Sequence, residues 1–536
     1  MFASGPQPAR STWRLSPLVV LCLAYPALAA APKVDWLFPA GAGRSSQVTV
    51  KLSDVAGPVR VWIDDSQGVS AEPEKEHGKI VVKVAADAVP GVRWLRFHND
   101  EGASVLRPFV VGALAEVEEK EPNNAEAQAV TCPVVVNGRL EKSGDVDAFR
   151  VSLKRGQTLV ASMLANETLG SPMDGVLQVC DAAGFVLAQN DETHGLDPQI
   201  VFTVPRDGDY IVRCFAFPAT PDSSINFAGK IDFIYRLTLT TGGFIDHAMP
   251  LAIKAGQSNE LTLVGWNVPG EASRLTVTPE AGRDQVTLSH AALANALRVP
   301  VVNGAVLVAA QAPPTIALPA VITGHFQQPG GENRFRFTAR KGDNIRLGVE
   351  SQSLGFPLDA VLRVVDATGK QLAESDDGEK GRRDPSITFK PAADGEFVVS
   401  IRDLHGRGGF RFVYRLTMEL ASPDFALTME KDSVVAASGK AEVIVAIDRQ
   451  NGFADDIALR IEGLPAEATV QPATSKMKDA SEKSVKFSVA STKGPAWSGP
   501  IRVVAESGAL RRAATFATVA GARHEAVWLT LPAGAK

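Results

Sequence analysis

The sequence predicts an all-β protein made of tandem β-sandwich modules, some immunoglobulin-like and some jelly-roll-like. Almost every segment alternates apolar and polar residues with a period of two, and Gly, Pro, Asn or Asp interrupts the pattern every ~8–12 residues. The chain also contains an internal repeat: residues 136–242 recur as residues 322–420, and Pro172–Ala188 matches Pro357–Ala373 at more than half of its positions without a gap. A period of about 186 residues is far longer than the ~20–50 residues of a solenoid unit, so the repeat indicates a duplicated domain with another module between its copies.

The composition is that of a folded protein with several domains. The chain has 536 residues, of which 45% are hydrophobic and 21% charged, and one domain typically takes ~100–200 residues. Its formal net charge of −5 is small for this length. General electrostatic capture of nucleic acid or of an anionic membrane is therefore not expected.

Residues 1–31 have the pattern of a secretory signal peptide. Arg10 and Arg14 precede the apolar run Leu18–Tyr25, and Ala27-Leu-Ala29 is a small-residue cleavage motif. A membrane anchor is the alternative, but an anchor needs ~20 apolar residues and this run is shorter. We expect export to the periplasm, the cell surface or the extracellular space, and no membrane span.

The first module, residues 33–115, is predicted to be an immunoglobulin-like sandwich. Its alternating segments are Gln47–Leu52, Val59–Ile63 and Lys79–Val84, followed by Val92–Phe97. The Phe38-Pro-Ala-Gly opening and the Pro108–Gly112 close resemble the TIG-type modules of large secreted bacterial proteins.

The next module, residues 116–242, begins with an acidic lead-in and contains the first copy of the repeat. Its motifs are Glu121-Pro-Asn-Asn124, Gly144–Phe149, Lys154–Leu159 and Asp207-Gly-Asp-Tyr210. Together they resemble the bacterial pre-peptidase C-terminal (PPC) domain. The resemblance implies a β-sandwich of about a hundred residues, a kind appended to secreted proteases and to many surface proteins without catalytic activity.

The rest of the chain divides into three further predicted modules. Residues 243–319 are expected to form a TIG-like or immunoglobulin-like β module, residues 320–421 the second PPC-like copy, and residues 422–536 a last immunoglobulin-like sandwich. No long amphipathic helix is predicted in any of them.

Three cysteines follow the signal sequence: Cys132, Cys180 and Cys214. The second copy has the aliphatic residues Leu318, Val365 and Ile401 at the matching positions, which indicates core sites where cysteine acts as a small hydrophobe. A Cys180–Cys214 disulfide is the alternative that an exported protein leaves open.

The acidic lead-in predicts a calcium site. In an extended chain Glu119, Glu121 and Asn123 project to one face, and Asp145 and Asp147 share that parity in the following strand. Ca²⁺ takes 6–8 oxygen ligands, and five oxygen-bearing side chains on two adjacent segments suit such a cation. The collagen-binding PPC-like domains of secreted collagenases carry a similar calcium-binding lead-in, a resemblance that also includes Asn124. A solvated acidic linker is the alternative.

The second copy is not expected to bind calcium. At the same sequence offset it has Ala305 and Leu307 in place of the two glutamates, and Gly331 and Asn333 in place of the two aspartates. Most of the charge and of the oxygen ligands is therefore missing.

Trp62 is the candidate ligand-contacting residue, because Val59, Val61 and Ile63 occupy the opposite face of its strand. A half-buried position against a neighbouring segment is the alternative. Asn166-Glu-Thr168 also fits the pattern of an N-glycosylation acceptor.

No catalytic motif was found: the sequence has no Gly-x-Ser-x-Gly, no His-Glu-x-x-His, no Walker loop and no Gly-x-Gly-x-x-Gly. We therefore expect a non-catalytic exported protein that binds an envelope or extracellular protein or polysaccharide. An ancillary component of a secreted peptidase system and a carbohydrate-binding protein are the alternatives.

Overall fold

Strands dominate the structure, a computed structural model that describes residues 30–55, 57–220, 226–378, 383–490 and 495–533. The predicted signal peptide lies almost entirely outside this range. Helical structure in the described residues is limited to α1 (Asn166–Leu169) and three 3₁₀ turns, at Gly270–Ala272, Ala309–Gln311 and Gln352–Leu354. The predicted all-β class is confirmed. In the described part of the chain, no helix has the length and apolar character needed to cross a membrane.

Module 1 consists of two facing sheets in the orders β1-β3-β6-β5 and β2-β9-β7-β4, with β8 paired to β7. The strands are β1 (Leu37–Phe38), β2 (Gly41–Gly43), β3 (Ser46–Leu52), β4 (Arg60–Asp64), β5 (Val69–Pro73), β6 (Lys79–Val84), β7 (Gly91–Asn99), β8 (Gly102–Ala103) and β9 (Arg107–Gly112).

The first copy has two five-stranded sheets, ordered β10-β12-β19-β14-β17 and β11-β13-β18-β15-β16. The strands are β10 (Glu116–Glu118), β11 (Gln128–Ala129), β12 (Val134–Arg139), β13 (Asp147–Leu153), β14 (Thr158–Leu164), β15 (Met173–Asp181), β16 (Val186–Asn190), β17 (Gln199–Thr203), β18 (Gly208–Pro218) and β19 (Ile234–Thr240).

Module 3, which lies between the two copies in the sequence, is smaller, with two three-stranded sheets ordered β20-β22-β23 and β21-β25-β24. The strands are β20 (Phe244–Met249), β21 (Ile253–Lys254), β22 (Asn259–Trp266), β23 (Arg274–Val277), β24 (Gln285–Leu288) and β25 (Leu297–Val302).

The second copy has sheets ordered β26-β27-β34-β29-β32 and β28-β33-β30-β31. The strands are β26 (Ala305–Val308), β27 (Ala320–His325), β28 (Glu332–Ala339), β29 (Ile345–Glu350), β30 (Ala360–Asp366), β31 (Gln371–Ser375), β32 (Ser386–Phe389), β33 (Gly395–Asp403) and β34 (Val413–Leu420).

Module 5, which follows the second copy in the sequence, has the sheets β35-β37-β40 and β36-β45-β41-β38-β39. It also has a short β43-β44 pair, and β42 pairs with β41. The strands are β35 (Asp424–Thr428), β36 (Ser433–Val435), β37 (Lys440–Gln450), β38 (Ile457–Glu462), β39 (Ala473–Ser475), β40 (Ser484–Ala490), β41 (Trp497–Ser507), β42 (Leu510–Ala513), β43 (Phe516–Ala517), β44 (Arg523–His524) and β45 (Val527–Leu531).

The two copies share their strand order and their register. Phe149 lies opposite Val212 in the first copy, and Phe335 lies opposite Val399 at the equivalent place in the second. Tyr235 pairs with Gly138, as Tyr414 pairs with Gly324. A Cβ on either glycine would lie about 2 Å from the tyrosine ring, so glycine is required at both positions for the ring to pack there.

The second copy begins earlier than residue 320. Strand β26 pairs in parallel with β27, as β10 pairs with β12 in the first copy. Residues from Ala305 onward therefore belong to the second copy rather than to module 3. The sequence boundary was placed too late because this lead-in is apolar and carries none of the acidic residues that mark the first one.

Module 1 and module 5 pack against each other, although they lie at opposite ends of the chain. Trp94 and Leu106 of module 1 belong to the same buried cluster as the core of module 5. Arg96 is fully buried and lies 3.2 Å from Asp432, and His524 Nε2 lies 2.8 Å from Asp64 Oδ2. Module 3 contacts both copies, through Asn267 and through the Asp246–Arg411 ion pair.

Candidate metal centre

The lead-in of the first copy runs beside β12 and places Glu119 next to Arg139, the last residue of that strand. Strand β10 pairs in parallel with β12, and Glu119 N continues the ladder by donating to Asn137 O at 3.0 Å. Glu119 Oε1 accepts a hydrogen bond from Arg139 N at 2.7 Å. The backbone ladder therefore fixes the direction in which this carboxylate points.

Three carboxylates meet at this end of the sandwich. One oxygen from each of Glu119, Glu121 and Asp147 lies within 4.8 Å of the other two. Asp147 is completely buried, Glu119 half-buried and Glu121 exposed. The predicted acidic face of the lead-in and the first residue of β13 are thus brought together.

Tyr235 from β19 joins the group, and the sequence patterns did not indicate it. Its hydroxyl lies 2.6 Å from Asp147 Oδ2 and 3.1 Å from Glu119 Oε2. A phenol has a single proton to donate, so it satisfies only one of the two carboxylates at a time. The sequence signal for it is the repeated Tyr-Arg-Leu-Thr motif, which places a tyrosine at the same position in both copies.

Asn123 and Asp145 lie buried beside the three carboxylates, and Asp145 is not part of their 4.8 Å group. Asn123 Oδ1 accepts from Ala148 N at 3.2 Å, and Asp145 Oδ2 accepts from Glu141 N at 2.8 Å. The other polar atom of each side chain has no partner, and neither does Asp147 Oδ1. Buried polar atoms without partners are uncommon and call for an explanation such as a bound ion.

The electrostatics disfavour an empty, fully ionised cluster. Burial, followed by the nearby negative charge of Asp147, raises the pKa of Glu119 well above its usual range. Burial also raises the pKa of Asp147, and Asp145 and Glu121 add to the effect. Like charges that are removed from water retain a proton unless a cation replaces it.

These residues fit a hard divalent cation. Carboxylate and amide oxygens are the ligands that Ca²⁺ prefers, and an ion would partner the free Asp147 oxygen while neutralising the clustered charge. The described structure also has an internal comparison, because Tyr414 of the second copy donates to Asn333 Oδ1 at 2.7 Å. A neutral amide there replaces the Asp147 carboxylate.

The residue that replaces Glu119 in the second copy differs from the sequence prediction. By strand register Glu118 lies opposite Asn137, and Val308 lies opposite Thr323. Ala309, rather than Ala305, therefore follows the lead-in strand as Glu119 does, because the connection to the next strand is four residues shorter in the second copy. The replacement is still apolar.

Trp62 does not form an open contact surface. Its ring lies 5.8 Å from that of Trp528 and 6.3 Å from that of His524, edge-on to both. The residue is half-buried between module 1 and module 5. This half-buried position against a neighbouring segment is the one that the alternative described.

The side chain of Asn166, in the predicted glycosylation pattern, makes a hydrogen bond within the fold. The Asn166 side-chain amide donates to Ser171 O at 2.8 Å at the start of α1. Asn166 is half-buried, so its amide is partly engaged within the fold.

Two of the histidine–carboxylate pairs in the described residues lie at module interfaces, and a third, His405 with Asp359 at 3.5 Å, lies within the second copy. His524 Nε2 contacts Asp64 Oδ2, and its Nδ1 accepts from Ala526 N at 3.1 Å, so both ring nitrogens are engaged. His247 Nδ1 contacts Asp246 Oδ2 at 2.7 Å, and its ring packs on Phe356. His524 therefore has no free nitrogen with which to activate a nucleophile.

Comparisons with known proteins give local likenesses. No family model matches the chain. A probable subtilase-type serine protease of Deinococcus radiodurans is 34% identical over 152 residues, which is 27% of this chain and 19% of that protein. The chain thus spans about a fifth of the length of this relative.

Solved structures with similarity to parts of the chain are distant. The pre-peptidase C-terminal domain of a Bacillus anthracis collagenase aligns over all of its length and 23% of this chain, with 14% identity and a TM-score of 0.17. A Bacteroides ovatus protein, SGBP-B, solved with a mixed-linkage heptasaccharide, aligns over 76% of its length and 74% of this chain, with 10% identity and a TM-score of 0.13. We draw no conclusion about function from scores this low.

Proposed function

We propose that the chain is an exported, non-catalytic binding protein whose first PPC-like copy carries a structural calcium ion. The carboxylate cluster of Glu119, Glu121 and Asp147, in which Asp147 is buried, supports the calcium part of this proposal. The sandwich architecture, with loops and sheet edges on five linked modules, supports a binding role toward an envelope or extracellular protein or polysaccharide.

Calcium would be held by the three clustered carboxylates, with Asp145 and Asn123 close by. The ion supplies positive charge that replaces a shared proton, and it ties the lead-in to β13. Arg139 of β12 donates its backbone N–H to Glu119, and its guanidinium lies 4.5 Å from the Trp36 ring of module 1. The ion would therefore also stabilise the junction of module 1 and the first copy.

Isothermal titration of the full chain with CaCl₂ tests the site. We expect one ion per chain, lost in Asp147→Asn, which introduces the amide that Tyr414 already accommodates at Asn333 in the second copy. Calcium at a hundred times its dissociation constant should stabilise the folded form by ~2.7 kcal/mol.

The matched control is Asn333→Ala, which removes the equivalent amide and should leave the stoichiometry at one. Two ions per chain would contradict the asymmetry between the copies. Absence of any heat or stabilisation would show that the lead-in is a solvated linker.

A role beside a secreted peptidase is the second candidate, favoured by the 34% identity to a segment of the Deinococcus subtilase-type protein. Assays of the purified chain on casein and on chromogenic glycosides should detect no turnover. Recovery of a peptidase in envelope pull-downs would favour the ancillary role, whereas recovery of polysaccharide would favour the carbohydrate-binding role. Trp62, the candidate contact for the carbohydrate-binding role, is half-buried against Trp528 of module 5.

A further inference from the structure

Three phenylalanine rings of the first copy, from Phe215, Phe217 and Phe227, form a partly exposed patch on the sheet β11-β13-β18-β15-β16. Cys214 and Ala216 of β18 face the core, so Phe215 and Phe217, which alternate with them, lie on the outer face. The rings of Phe215 and Phe227 are stacked with centroids 4.4 Å apart, and Phe217 lies edge-on to Phe227 at 5.8 Å. Phe217 is 38% exposed and Phe227 36%, whereas Phe215 is buried. Large apolar side chains exposed together mark interaction surfaces in folded proteins.

Asp174 borders this phenylalanine patch, and one of its oxygens has no partner. The residue lies directly opposite Phe217 in the pairing of β15 with β18, so the two side chains share the outer face. Asp174 Oδ1 is buried and accepts no hydrogen bond from the described residues. Buried polar atoms without partners are uncommon and call for an explanation. A donor from outside the chain would supply the missing hydrogen bond.

The charge beside the phenylalanine patch is negative and uncompensated. Burial raises the pKa of Asp174, and the nearby charges of Glu192 and Asp191, both exposed, add to the effect. Within the described part of the chain, no ion pair involves any of these three carboxylates; Arg206 pairs with Asp181 instead. A positively charged group complements such a surface, whereas a neutral sugar would leave its charge unopposed.

The second copy carries its own cations at the same place. By strand register the equivalent residues of the two copies are Asp174 and Asp359, Phe215 and Arg402, and Phe217 and Leu404. His405 Nε2 lies 3.5 Å from Asp359 Oδ2. Arg407 pairs with Asp403, and its guanidinium lies 5.4 Å from the centre of the Phe412 ring. The second copy thus combines a guanidinium, a carboxylate and an aromatic ring, whereas the described residues of the first copy supply only the carboxylate and the rings.

We propose that the phenylalanine patch and Asp174 form a docking site for an arginine side chain in a basic segment of a partner protein. Arginine fits because its planar guanidinium stacks on an aromatic ring while its N–H groups donate to a carboxylate. The exposed Asp191 and Glu192 would attract further basic residues of the same segment. This names the partner class for the binding role proposed above, on which it rests, and it does not depend on the calcium ion.

Isothermal titration of the full chain with an acetylated peptide of alternating glycine and arginine tests the site, over roughly 1 µM to 1 mM. We expect binding that weakens with added salt, because salt screens exposed charges. A peptide with glutamine in place of arginine should not bind. Asp174→Asn and Phe217→Leu, the second of which introduces the residue found in the second copy, should each weaken binding by roughly three- to thirtyfold. Unchanged circular dichroism and melting temperature would show that both variants fold.

The matched control is Asp209→Asn, which removes the same charge from the same copy. Asp209 lies at the opposite end of β18, where it accepts a hydrogen bond from Ser152 Oγ at 2.6 Å. This variant should bind the arginine peptide as the wild type does. Equal weakening by Asp174→Asn and Asp209→Asn would reduce the effect to net charge and overturn the site.

Two further outcomes would also overturn the proposal. One is a wild-type chain that binds neither peptide or binds both equally. The other is binding of maltoheptaose that Phe217→Leu abolishes, which would identify the phenylalanine patch as a sugar-binding surface. If the arginine peptide fails while envelope pull-downs still recover a protein, the binding role stands and only this site is wrong.

Discussion

Tyr235 and Tyr414 occupy the same place in two copies of one domain, yet their hydroxyl groups have different hydrogen-bond acceptors. Tyr235 donates to a buried carboxylate cluster, whereas Tyr414 donates to the neutral amide of Asn333. The period-two pattern predicted that Glu119, Glu121 and Asp147 share a face, because parity along an extended chain depends only on local sequence. The tyrosine was not predicted, since it lies 88 residues from Asp147 in the sequence and reaches it through sheet pairing.

The cysteines show how far a repeat can be used to interpret single residues. All three are free in the structure. Cys214 lies opposite Leu177 and belongs to the core of the first copy, whereas Cys180 lies opposite Ile211, on the other face of the same sheet. The two side chains therefore point to opposite faces, which excludes the disulfide that the sequence left open. Cys132 is half-buried rather than buried.

We predict that these three thiols are protected in the native protein. Burial raises the pKa of Cys132 to about 11 and the pKa of Cys214 well above its usual range, so little thiolate is present at neutral pH. Titration with a thiol reagent should find almost no reaction before denaturation and reaction of all three afterwards. A single reactive thiol in unreduced, denatured protein would instead demonstrate a disulfide.

At the scale of elements, the alternating pattern predicted the strands, and the repeat predicted that the two copies share one fold. The two copies share their strand order because they share one sequence pattern. β16 and β31 differ at Val186, Gln189 and Asn190, of which the first two are exposed. The lead-in strand β26 was missed because its apolar residues resemble those of any short strand. Pairing in parallel with β27, rather than composition, is what assigns it to the second copy.

The contact between β7 and β45 should weaken in acid. His98 on β7 packs with its ring 4.6 Å from that of Trp528 on β45. Burial, with a smaller contribution from Arg60 and Arg96 that Asp100 opposes, lowers the pKa of His98 to about 4. Its folded pKa is below the unfolded value of about 6.5, so its neutral form stabilises the fold above that pH, and the stabilisation is lost as pH falls from about 6.5 toward 4.

Melting temperature and tryptophan emission measured between pH 7.5 and pH 4 test this prediction. Both should change over the acid range, since Trp62 and Trp528 lie at the contact. His98→Phe keeps a ring against Trp528 but cannot take up a proton, so the acid-dependent part should diminish. An identical pH profile for the two proteins would assign the change to other groups.

At the scale of the whole molecule, the packing of module 1 on module 5 was beyond sequence reasoning. The Asp64–His524 contact joins residues 460 positions apart. The alternation of apolar and polar residues along a strand carries no information about contacts between the two ends of a chain. The sequence predicted separate modules whose relative orientation was left open. Trp62, interpreted as an exposed aromatic, is half-buried because module 5 packs against module 1.

The ion pair between Arg96 and Asp432 should be the most sensitive point of this interface. Arg96 is fully buried, donates to Ser104 O at 2.8 Å, and has Asp432 as its counter-ion at 3.2 Å. Desolvation lowers the pKa of Arg96 while Asp432 opposes the effect. Removing one partner of a buried pair leaves an uncompensated charge, which costs ~3–5 kcal/mol. We therefore expect Asp432→Ala to separate module 1 from module 5, and to do so without disrupting the core of either module.

Small-angle scattering and limited proteolysis report that separation as a larger radius of gyration and as new cleavage near the contact. The control is Asp100→Ala, which removes the partner of Arg60 in a surface pair with both side chains more than half exposed. Exposed pairs contribute ~0–1 kcal/mol, so this variant should behave like the wild type. If Asp432→Ala and Asp100→Ala have equal and small effects, the two ends of the chain are joined by apolar packing alone, and the buried charge is not what holds module 1 on module 5.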